Sequence, residues 1–206
     1  AEARARIAAA GRPFHVRDRA SGVEMVLIPP GEYVRGSPPD AAGEADERPA
    51  KRVRIARAFY LARKPTTQLE YVRAIGKNPS RFKGNDFQPV EQTTYADALA
   101  FCARAGLRLP TEAEWEYACR AGNPAPRYGA ADAVGWFRDN AGGATRPVGG
   151  KAPNGFGLFD MLGNVYEWCA DWYDAGAYAA HEDGDAAGAG PERGERRVIR
   201  GGAWSF

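Results

Sequence analysis

The sequence predicts an α+β domain with sparse regular structure, in which two or three helices and short antiparallel strands are joined by many tight turns. The 206 residues include 25 Gly and 15 Pro, which is typical of a loop-rich fold and not of a helix bundle. Three threonines are each followed three residues later by an acid, which marks helix starts, and several short segments alternate polar and apolar residues as strands do. The length fits one domain, and 44% hydrophobic residues can supply its core.

Strand signals are concentrated near the two ends of the chain. The apolar run 23–28 meets Pro29-Pro30-Gly31 and continues into 32–34, which reads as strand, turn and strand. Residues 52–56 alternate with period two, which predicts a half-buried strand. Residues 197–202, of sequence RVIRGG, predict a last strand closed by glycines.

The three helix starts share one capping signal. A threonine hydroxyl can accept a hydrogen bond from the third helical N–H while the acid at that position reaches back to the cap N–H. The pairs are Thr67 with Glu70, Thr94 with Asp97, and Thr111 with Glu114.

Apolar residues after the second and third starts recur at helical spacing, and each stripe should face the core. Gly106 and Gly122 stand where the C-caps of these helices belong. The stripes are Tyr95, Ala98, Leu99 and Cys102 in one helix, and Trp115, Ala118 and Cys119 in the next.

Periodicity is lost beyond Gly122, where short aromatic pieces alternate with Gly, Asn and Pro. Residues 174–195 are mainly Ala, Gly, Asp and Glu with little to bury, so we expect a mobile surface loop. Trp115, Trp168 and Trp172 lie beside other apolar residues and should be core. Trp204 could line a groove, although the core is again the favoured location.

Composition excludes several classes of function. A formal net charge of +2 does not favour nucleic acid as a partner, and no apolar run approaches the ~20 residues that span a bilayer. His15 and His181 are far apart, so a mononuclear site of several imidazoles has too few ligands. Cys102, Cys119 and Cys169 lack CxxC spacing, which excludes a zinc ribbon or a thioredoxin-like motif.

Three long motifs, in order, carry a resemblance to a known family. The segment 108–118, RLPTEAEWEYA, resembles the RLPTEAEWEYA signature of the sulfatase-modifying-factor family, also called the formylglycine-generating-enzyme family. The segment 157–168, GLFDMLGNVYEW, resembles the family's GLYDMxGNVWEW, and 197–204, RVIRGGAW, resembles RVLRGGSW. Weaker matches lie at 78–84 and at Pro89-Val90, so the resemblance covers roughly residues 22–206.

The resemblance implies a variant of the C-type lectin fold. Enzymes of the family oxidise a cysteine of a client sulfatase to formylglycine with oxygen and a copper ion held by two cysteines. Other members contribute to ergothioneine or siderophore pathways, and still others are ligand-binding proteins, including variable proteins diversified by retroelements.

Two carboxylates seven residues apart, Asp160 and Glu167, can converge on one hard cation because Gly163-Asn164 forces a turn between them. The alternative is that both acids accept backbone N–H bonds in a tight loop. The resemblance implies structural calcium here, held by Asp160, the carbonyls of Gly163 and Val165, and Glu167. It also implies a second calcium site that would involve Asn140, where the local sequence differs from the family's.

The cysteines bear on the family's chemistry. In catalytic members the copper cysteines lie a few residues past the RGGS-aromatic element, and this chain ends at Ser205-Phe206, so copper is expected only if a following segment supplies two cysteines. Cys102 and Cys119 match positions that, in secreted members, form disulfides with partners also beyond this end. We therefore expect all three cysteines to be packed thiols and not nucleophiles.

Two substitutions depart from the catalytic pattern. Ala203 replaces the Ser that follows Gly-Gly in the enzymes, and a methyl group beside the copper–oxygen pocket cannot donate a hydrogen bond. Tyr166 replaces the first Trp of the WEW trio. Both lower the expectation of formylglycine chemistry.

The expected organisation is a linker or peripheral helix over 1–13 and a family domain over 14–206 that is truncated at its C-terminal end. Because the terminal strands of this fold pair, the strand from Met25 to Pro29 or its neighbour should have an open edge. A fragment of a longer protein, or partner chains that complete the sheet, would explain such an edge.

Three functions follow as hypotheses. The first is a formylglycine-generating oxidase acting on a protein or peptide client, which needs the two further cysteines. The second is a non-catalytic, calcium-stabilised module that binds an unknown ligand. The third, an iron-dependent sulfoxide synthase, needs an additional helical domain and is the least favoured; for the chain itself we expect no catalytic residue.

Overall fold

A computed structural model describes residues 11, 13–38, 43–125, 127–184 and 190–206. The expected linker or helix over 1–13 lies almost wholly outside these residues. The strands are β1 His15–Arg17, β2 Glu24–Ile28, β3 Gly31–Arg35, β4 Lys51–Ile55, β5 Phe59–Ala62, β6 Gly135–Trp136, β7 Leu162–Gly163, β8 Glu167–Trp172 and β9 Arg197–Arg200. The helices are α1 Gln68–Ile75, α2 Tyr95–Ala105, α3 Glu112–Arg120, α4 Ala131–Val134, α5 Arg138–Ala141 and α6 Ala177–Ala180, with a short 3₁₀ turn at Ala45–Glu47.

The strands form four small sheets. β1, β2 and β5 make a three-stranded antiparallel sheet with β2 in the centre, and β3–β4 and β8–β9 are antiparallel pairs. The short β6 and β7 pair in parallel. The predicted strands at 23–28, 32–34, 52–56 and 197–202 are therefore confirmed, although the first two belong to different sheets.

All three predicted capping boxes are present. In each, the threonine side chain accepts a hydrogen bond from the backbone N–H of the acid, whose carboxylate accepts one from the backbone N–H of the threonine. The helix α2 ends at Gly106 in the left-handed conformation, as predicted. The helix α3 ends one residue earlier than predicted, at Ala121 with φ 48°.

The core consists of two clusters. The central cluster packs Trp115, Ala118 and Cys119 of α3 against β2, β8 and the 156–161 segment. The lateral cluster packs Tyr71 of α1 against Phe101 of α2, whose rings are stacked with centroids 5.6 Å apart.

The buried face of α2 differs from the predicted stripe. Leu99 is 46% exposed, and the buried residues are Phe101, Cys102 and Ala105. Because α2 packs on α1 through Phe101, the helix buries a different face from the one that the spacing of apolar residues predicted. The buried stripe of α3 is as predicted.

The edges of the three-stranded sheet are β1 and β5. The strand β2 pairs on both sides, so an open edge at Met25–Pro29 is wrong. Its neighbours β1 and β5 each pair with β2 alone among the described strands, so the open edge lies at a neighbour of this strand.

The described part of 174–195 includes a short helix with a buried side chain, and is not only a surface loop. It contains α6, in which Tyr178 is 6% exposed and its hydroxyl donates to the carboxylates of Glu112 and Glu116. The expectation that this stretch has little to bury is therefore wrong at Tyr178. Residues 185–189 lie outside the described part of the chain.

Tyr178 caps a buried network of charges, which we call the ionic network. Three arginines and three glutamates alternate in it: Arg35 bonds Glu112 at 2.5 Å, Arg120 bonds Glu116 at 2.8 Å, and Arg200 lies 3.3–3.8 Å from Glu47, Glu112 and Glu116. The network ties α3 to β3, β9 and α6. Because charges withdrawn from water are stable only when paired, it fixes these elements in one arrangement.

None of the described helices combines the length and the apolar character that crossing a bilayer requires.

Replacing Glu116 tests the ionic network. The Glu116 carboxylate accepts hydrogen bonds from the Gly36 N–H at 2.9 Å, from Arg120 and from the Tyr178 hydroxyl. Glu116→Gln therefore removes one of the negative charges that balance the three arginines of the network. Breaking a buried pair costs about 3–5 kcal/mol, so the free energy of unfolding should fall by that order in a urea titration.

The exposed pair Arg52–Asp183, at 3.2 Å, provides the control for this loss. Asp183→Asn should lower the unfolding free energy by no more than about 1 kcal/mol. Equal losses from the two variants would show that the buried network has no special role in stability.

Candidate functional site

The segment 160–167 folds back on itself. Asp160, Gly163 and Asn164 all have positive φ, at 52°, 76° and 60°. A Cβ at Gly163 would collide with the backbone of Trp136, so only glycine fits there. The Gly163 N–H donates to the Gly201 carbonyl at 2.7 Å and the Asn164 N–H donates to the Trp136 carbonyl at 2.8 Å, which pins the turn to its neighbours.

Asp160, at the first end of this turn, is buried with an incomplete set of hydrogen bonds. The residue is 1% exposed, and its Oδ2 accepts the Gly149 N–H at 2.5 Å. Its Oδ1 is buried and accepts no hydrogen bond of ordinary geometry among the described residues, although the side chain of Asn164 lies close enough to favour the charged carboxylate. Burial raises the pKa of Asp160, and the Gly149 N–H bond and the Asn164 side chain oppose the rise. A buried carboxylate oxygen without a good donor is costly.

Glu167, at the second end, is partly buried. Its Oε2 accepts the indole N–H of Trp115 at 2.9 Å. Burial raises the pKa of Glu167 to about 7, the Trp115 bond opposes the rise, and the charge of Asp160 adds to it. The two carboxylates therefore interact electrostatically across the turn.

Gly163 and Val165 lie between the two acids, and the strand end at Gly201 closes over them. A Cβ at Gly201 would lie 3.4 Å from the Met161 carbonyl oxygen and 3.7 Å from that of Val165. Among the described residues no group of three or more His, Cys, Asp or Glu side chains is placed to hold a metal. A cation between Asp160 and Glu167 would therefore need backbone oxygens such as these to fill its shell.

Asn140 has a different structural setting. It lies in α5, where its Oδ1 accepts the Phe137 N–H at 2.7 Å and its Nδ2 donates to the Gly135 carbonyl at 3.0 Å and to Asp132 at 3.2 Å. These bonds fix the 135–137 segment, whose Trp136 in turn holds the turn at Asn164. The second calcium site at Asn140 stays a prediction.

The three thiols are buried and none forms a disulfide. Burial raises the pKa of Cys119 to about 12, and it raises the pKa values of Cys102 and Cys169 as well. Cys102 belongs to the lateral cluster, and Cys119 and Cys169 belong to the central one. The expectation of packed, unreactive thiols agrees with this burial.

Several aromatic residues near the C-terminal end of the chain are more exposed than predicted. Trp115 is core, but Trp168 and Trp172 are only partly buried because one face of β8 is turned away from the central cluster. Tyr166 is 41% exposed and meets Phe206 edge to face at 5.5 Å. Trp204 contacts Phe82 in the same manner at 5.3 Å. Ala203 is buried at 8% exposure.

Sequence reasoning missed a groove of about 600 Å³ that runs along β5, which we call the edge groove. Its walls come from β5, from Phe101 and Cys102 of α2, from 107–110 and from 165–168, so it reaches Glu167. The only signal for it in the sequence was the expected open edge, because its walls are far apart along the chain.

Comparison with known proteins gives one consistent family. The sequence-family model described as the sulfatase-modifying factor enzyme 1-like domain matches residues 12–206 of this chain. A Chlamydia pneumoniae protein named serine/threonine-protein kinase pkn1 is 35% identical over 207 residues, which cover 88% of this chain and 33% of that protein. The formylglycine-generating enzyme of Streptomyces coelicolor is 39% identical over 142 residues, which cover 61% of this chain and 45% of the enzyme.

Solved structures with the same fold include PvdO from Pseudomonas aeruginosa, with a TM-score of 0.81, 29% identity and coverage of 94% of this chain and 87% of that one. Treponema denticola variable protein 1 aligns with a TM-score of 0.80, 25% identity and coverage of 95% and 89%. The chain spans about a third of the length of the chlamydial relatives that it matches.

Alkylation tests the state of the thiols. At pH 8 roughly one-quarter of an ordinary cysteine with a pKa of about 8.5 is thiolate. For a cysteine with a pKa of about 12, the thiolate fraction at the same pH is on the order of 10⁻⁴. Iodoacetamide should therefore label Cys119 in the folded chain at least about 100-fold more slowly than a cysteine peptide. Mass spectrometry of each site, with the guanidinium-unfolded chain as control, measures the rates; rapid labelling of the folded chain would contradict this account.

Proposed function

This chain belongs to the sulfatase-modifying-factor family and has its C-type-lectin-like fold, and from that premise we propose that the described residues form a calcium-stabilised binding domain without an oxidase site of its own. The observation that carries the proposal is the pair Asp160 and Glu167. Asp160 is buried and Glu167 is partly buried, the two acids interact electrostatically, and Oδ1 of Asp160 accepts no hydrogen bond of ordinary geometry.

Calcium fits this setting better than the other cations common in proteins. Carboxylate and carbonyl oxygens are the ligands that Ca²⁺ prefers, and its flexible shell of six to eight oxygens tolerates an irregular turn. Asp160 and Glu167 would provide side-chain oxygens, and Gly163 and Val165 would provide carbonyls. A bound Ca²⁺ would neutralise the two acids and link both ends of the turn.

The three described thiols do not offer a copper site by themselves. A copper site of the family's type requires two thiolates, and the three cysteines of this chain are buried with raised pKa values. Ala203 presents a methyl group where the enzymes carry a hydroxyl. No pair of described thiols is therefore suited to hold and activate a redox metal.

The relatives show that the domain occurs within longer proteins. The matched segment makes up a third of the chlamydial proteins named as kinases, so the domain is one part of a larger chain there. Treponema denticola variable protein 1 has the same fold. We propose that the partner here is a protein or peptide.

A second candidate is oxidation of a client cysteine to formylglycine. The 39% identity to the Streptomyces coelicolor enzyme favours it. It needs two copper-binding cysteines in addition to the three present. Copper-dependent formation of an aldehyde on a CxPxR-type peptide by this chain would establish it and overturn the proposal above.

Thermal unfolding with and without calcium tests the proposal. A ligand at 100 times its Kd stabilises a protein by about 2.7 kcal/mol, which raises the Tm of a domain of this size by about 5–10 °C. We expect such a rise when CaCl₂ is added to the EDTA-treated chain, and Asp160→Asn should abolish it by removing a charged ligand.

Asp86→Asn is the matched control, because Asp86 is an exposed acid outside both the turn and α5. This variant should keep the full calcium response. A Tm that calcium leaves unchanged in the parent chain, or a response that Asp160→Asn retains in full, would refute the calcium site.

A further inference from the structure

The indole of Trp115 holds the carboxylate of Glu167 in place. Its Nε1–H donates to Oε2 of Glu167 at 2.9 Å, and no other described residue donates a hydrogen bond to that carboxylate. The two residues belong to different elements, one to α3 and the other to the start of β8. The orientation of the Glu167 side chain therefore depends on a single donor from a distant part of the chain.

Packing of the core fixes the direction of this donor. Trp115 is 2% exposed and belongs to the central cluster. The Arg200 guanidinium lies 5.5 Å from the centre of its indole ring, and a Cβ at Gly201 would lie 3.4 Å from its Cζ2 atom. Because close-packed neighbours on both sides restrict the ring, the indole N–H stays directed at the Glu167 carboxylate.

The choice of tryptophan at this position constrains its surroundings. A buried indole N–H needs an acceptor, whereas a phenylalanine ring would fill apolar space without that requirement. The indole N–H of Trp168 meets the requirement with a backbone carbonyl, that of Thr93 at 3.3 Å. The acceptor of Trp115 is instead one of the two acids of the turn 160–167, so this hydrogen bond serves the acid as well as the helix.

A hydrogen bond to one oxygen of a carboxylate prepares that group to bind a cation. A carboxylate has about four lone-pair sites, so a donor on Oε2 leaves other sites of Glu167 for coordination. Carboxylates that ligate metals are oriented by such donors, and loss of the donor typically lowers metal affinity by about 10–100-fold. Asp160 has its own donor in the Gly149 N–H at 2.5 Å. Each acid is thus held by a donor from outside the turn.

We propose that Trp115 is a positioning residue for the calcium site: its indole N–H orients Glu167 as a ligand. This inference rests on the calcium-stabilised domain proposed above. It gives the tryptophan of the RLPTEAEWEYA motif a role in cation affinity in addition to its place in the core. Trp115 acts through Glu167 and supplies no ligand atom of its own.

The calcium affinity of two variants tests the proposal. Trp115→Phe removes the donor and keeps an aromatic ring. Replacement of Trp115 by benzothienylalanine, in which sulfur takes the place of the N–H, removes the donor and keeps the shape of the ring. We expect each change to weaken calcium binding at least about tenfold when the EDTA-treated 206-residue chain is titrated with CaCl₂ in a calorimeter. The second variant keeps the core filled, so the test stands even where the phenylalanine variant folds poorly.

Trp172→Phe is the matched control. Trp172 is a partly buried tryptophan of β8, the strand that begins at Glu167, and its ring stacks on the Arg197 guanidinium at 3.4 Å. The variant alters β8 without removing a donor from Glu167. Its Kd for calcium should therefore stay within about twofold of the parent value, on the scale of the loss that an outer donor causes.

A structural role alone predicts a different pattern. If the indole of Trp115 served only to fill the core, its loss would lower the Tm with and without calcium and leave the Kd unchanged. A spectroscopic measurement on the parent chain adds a second criterion. In NMR spectra of the isotopically labelled chain, the indole N–H resonance of Trp115 should shift when CaCl₂ is added, whereas that of Trp172 should not; the two phenylalanine variants assign these resonances.

The outcomes distinguish this inference from the proposed function. A parent chain that binds no calcium would overturn the calcium site and the role of Trp115 with it. Calcium binding by the parent, with an unchanged or tighter Kd in the benzothienylalanine variant or an unmoved Trp115 resonance, would overturn only the role of Trp115. An equal loss of affinity in Trp172→Phe would show that any disturbance of β8 weakens the site, and would overturn that role as well.

Discussion

The turn 160–167 brings the buried carboxylate of Asp160 and the partly buried carboxylate of Glu167 into one electrostatic environment, and elements from several parts of the fold contact it. Three residues with positive φ reverse the chain, and Gly163 allows the turn to press against Trp136. Trp115 donates its indole N–H to Glu167 from the centre of the core. Two interacting acids in such a setting destabilise the turn, and the proposed calcium ion would remove that cost by supplying charge and coordination.

The helix α3 connects this turn to the ionic network. One face of it carries Trp115, which reaches Glu167, and the adjacent face carries Glu112 and Glu116, which reach Arg35 and Arg200. β9 then brings Arg200 to the network and Gly201 to the turn. The three sequence motifs that identify the family are thus parts of one packed unit, since each contributes a group that another motif needs.

The local parts of this unit were predictable from the sequence. The capping boxes at Thr67, Thr94 and Thr111, the strands and the buried stripe of α3 follow from short-range patterns. The rotation of α2 and the burial of Tyr178 did not, because they depend on contacts between residues far apart in the chain, such as Tyr71 with Phe101 and Tyr178 with Glu112. The acids at 160 and 167 were predicted as a pair, but the orphaned oxygen of Asp160 and the indole bond to Glu167 required the tertiary structure.

The most direct measurement of the central claim is anomalous diffraction from crystals of this chain grown with CaCl₂. The account predicts an anomalous peak bounded by Asp160 and Glu167, with carboxylate and carbonyl oxygens at about 2.3–2.6 Å. The absence of a peak there, with the two acids bonded only to protein donors or to water, would contradict it.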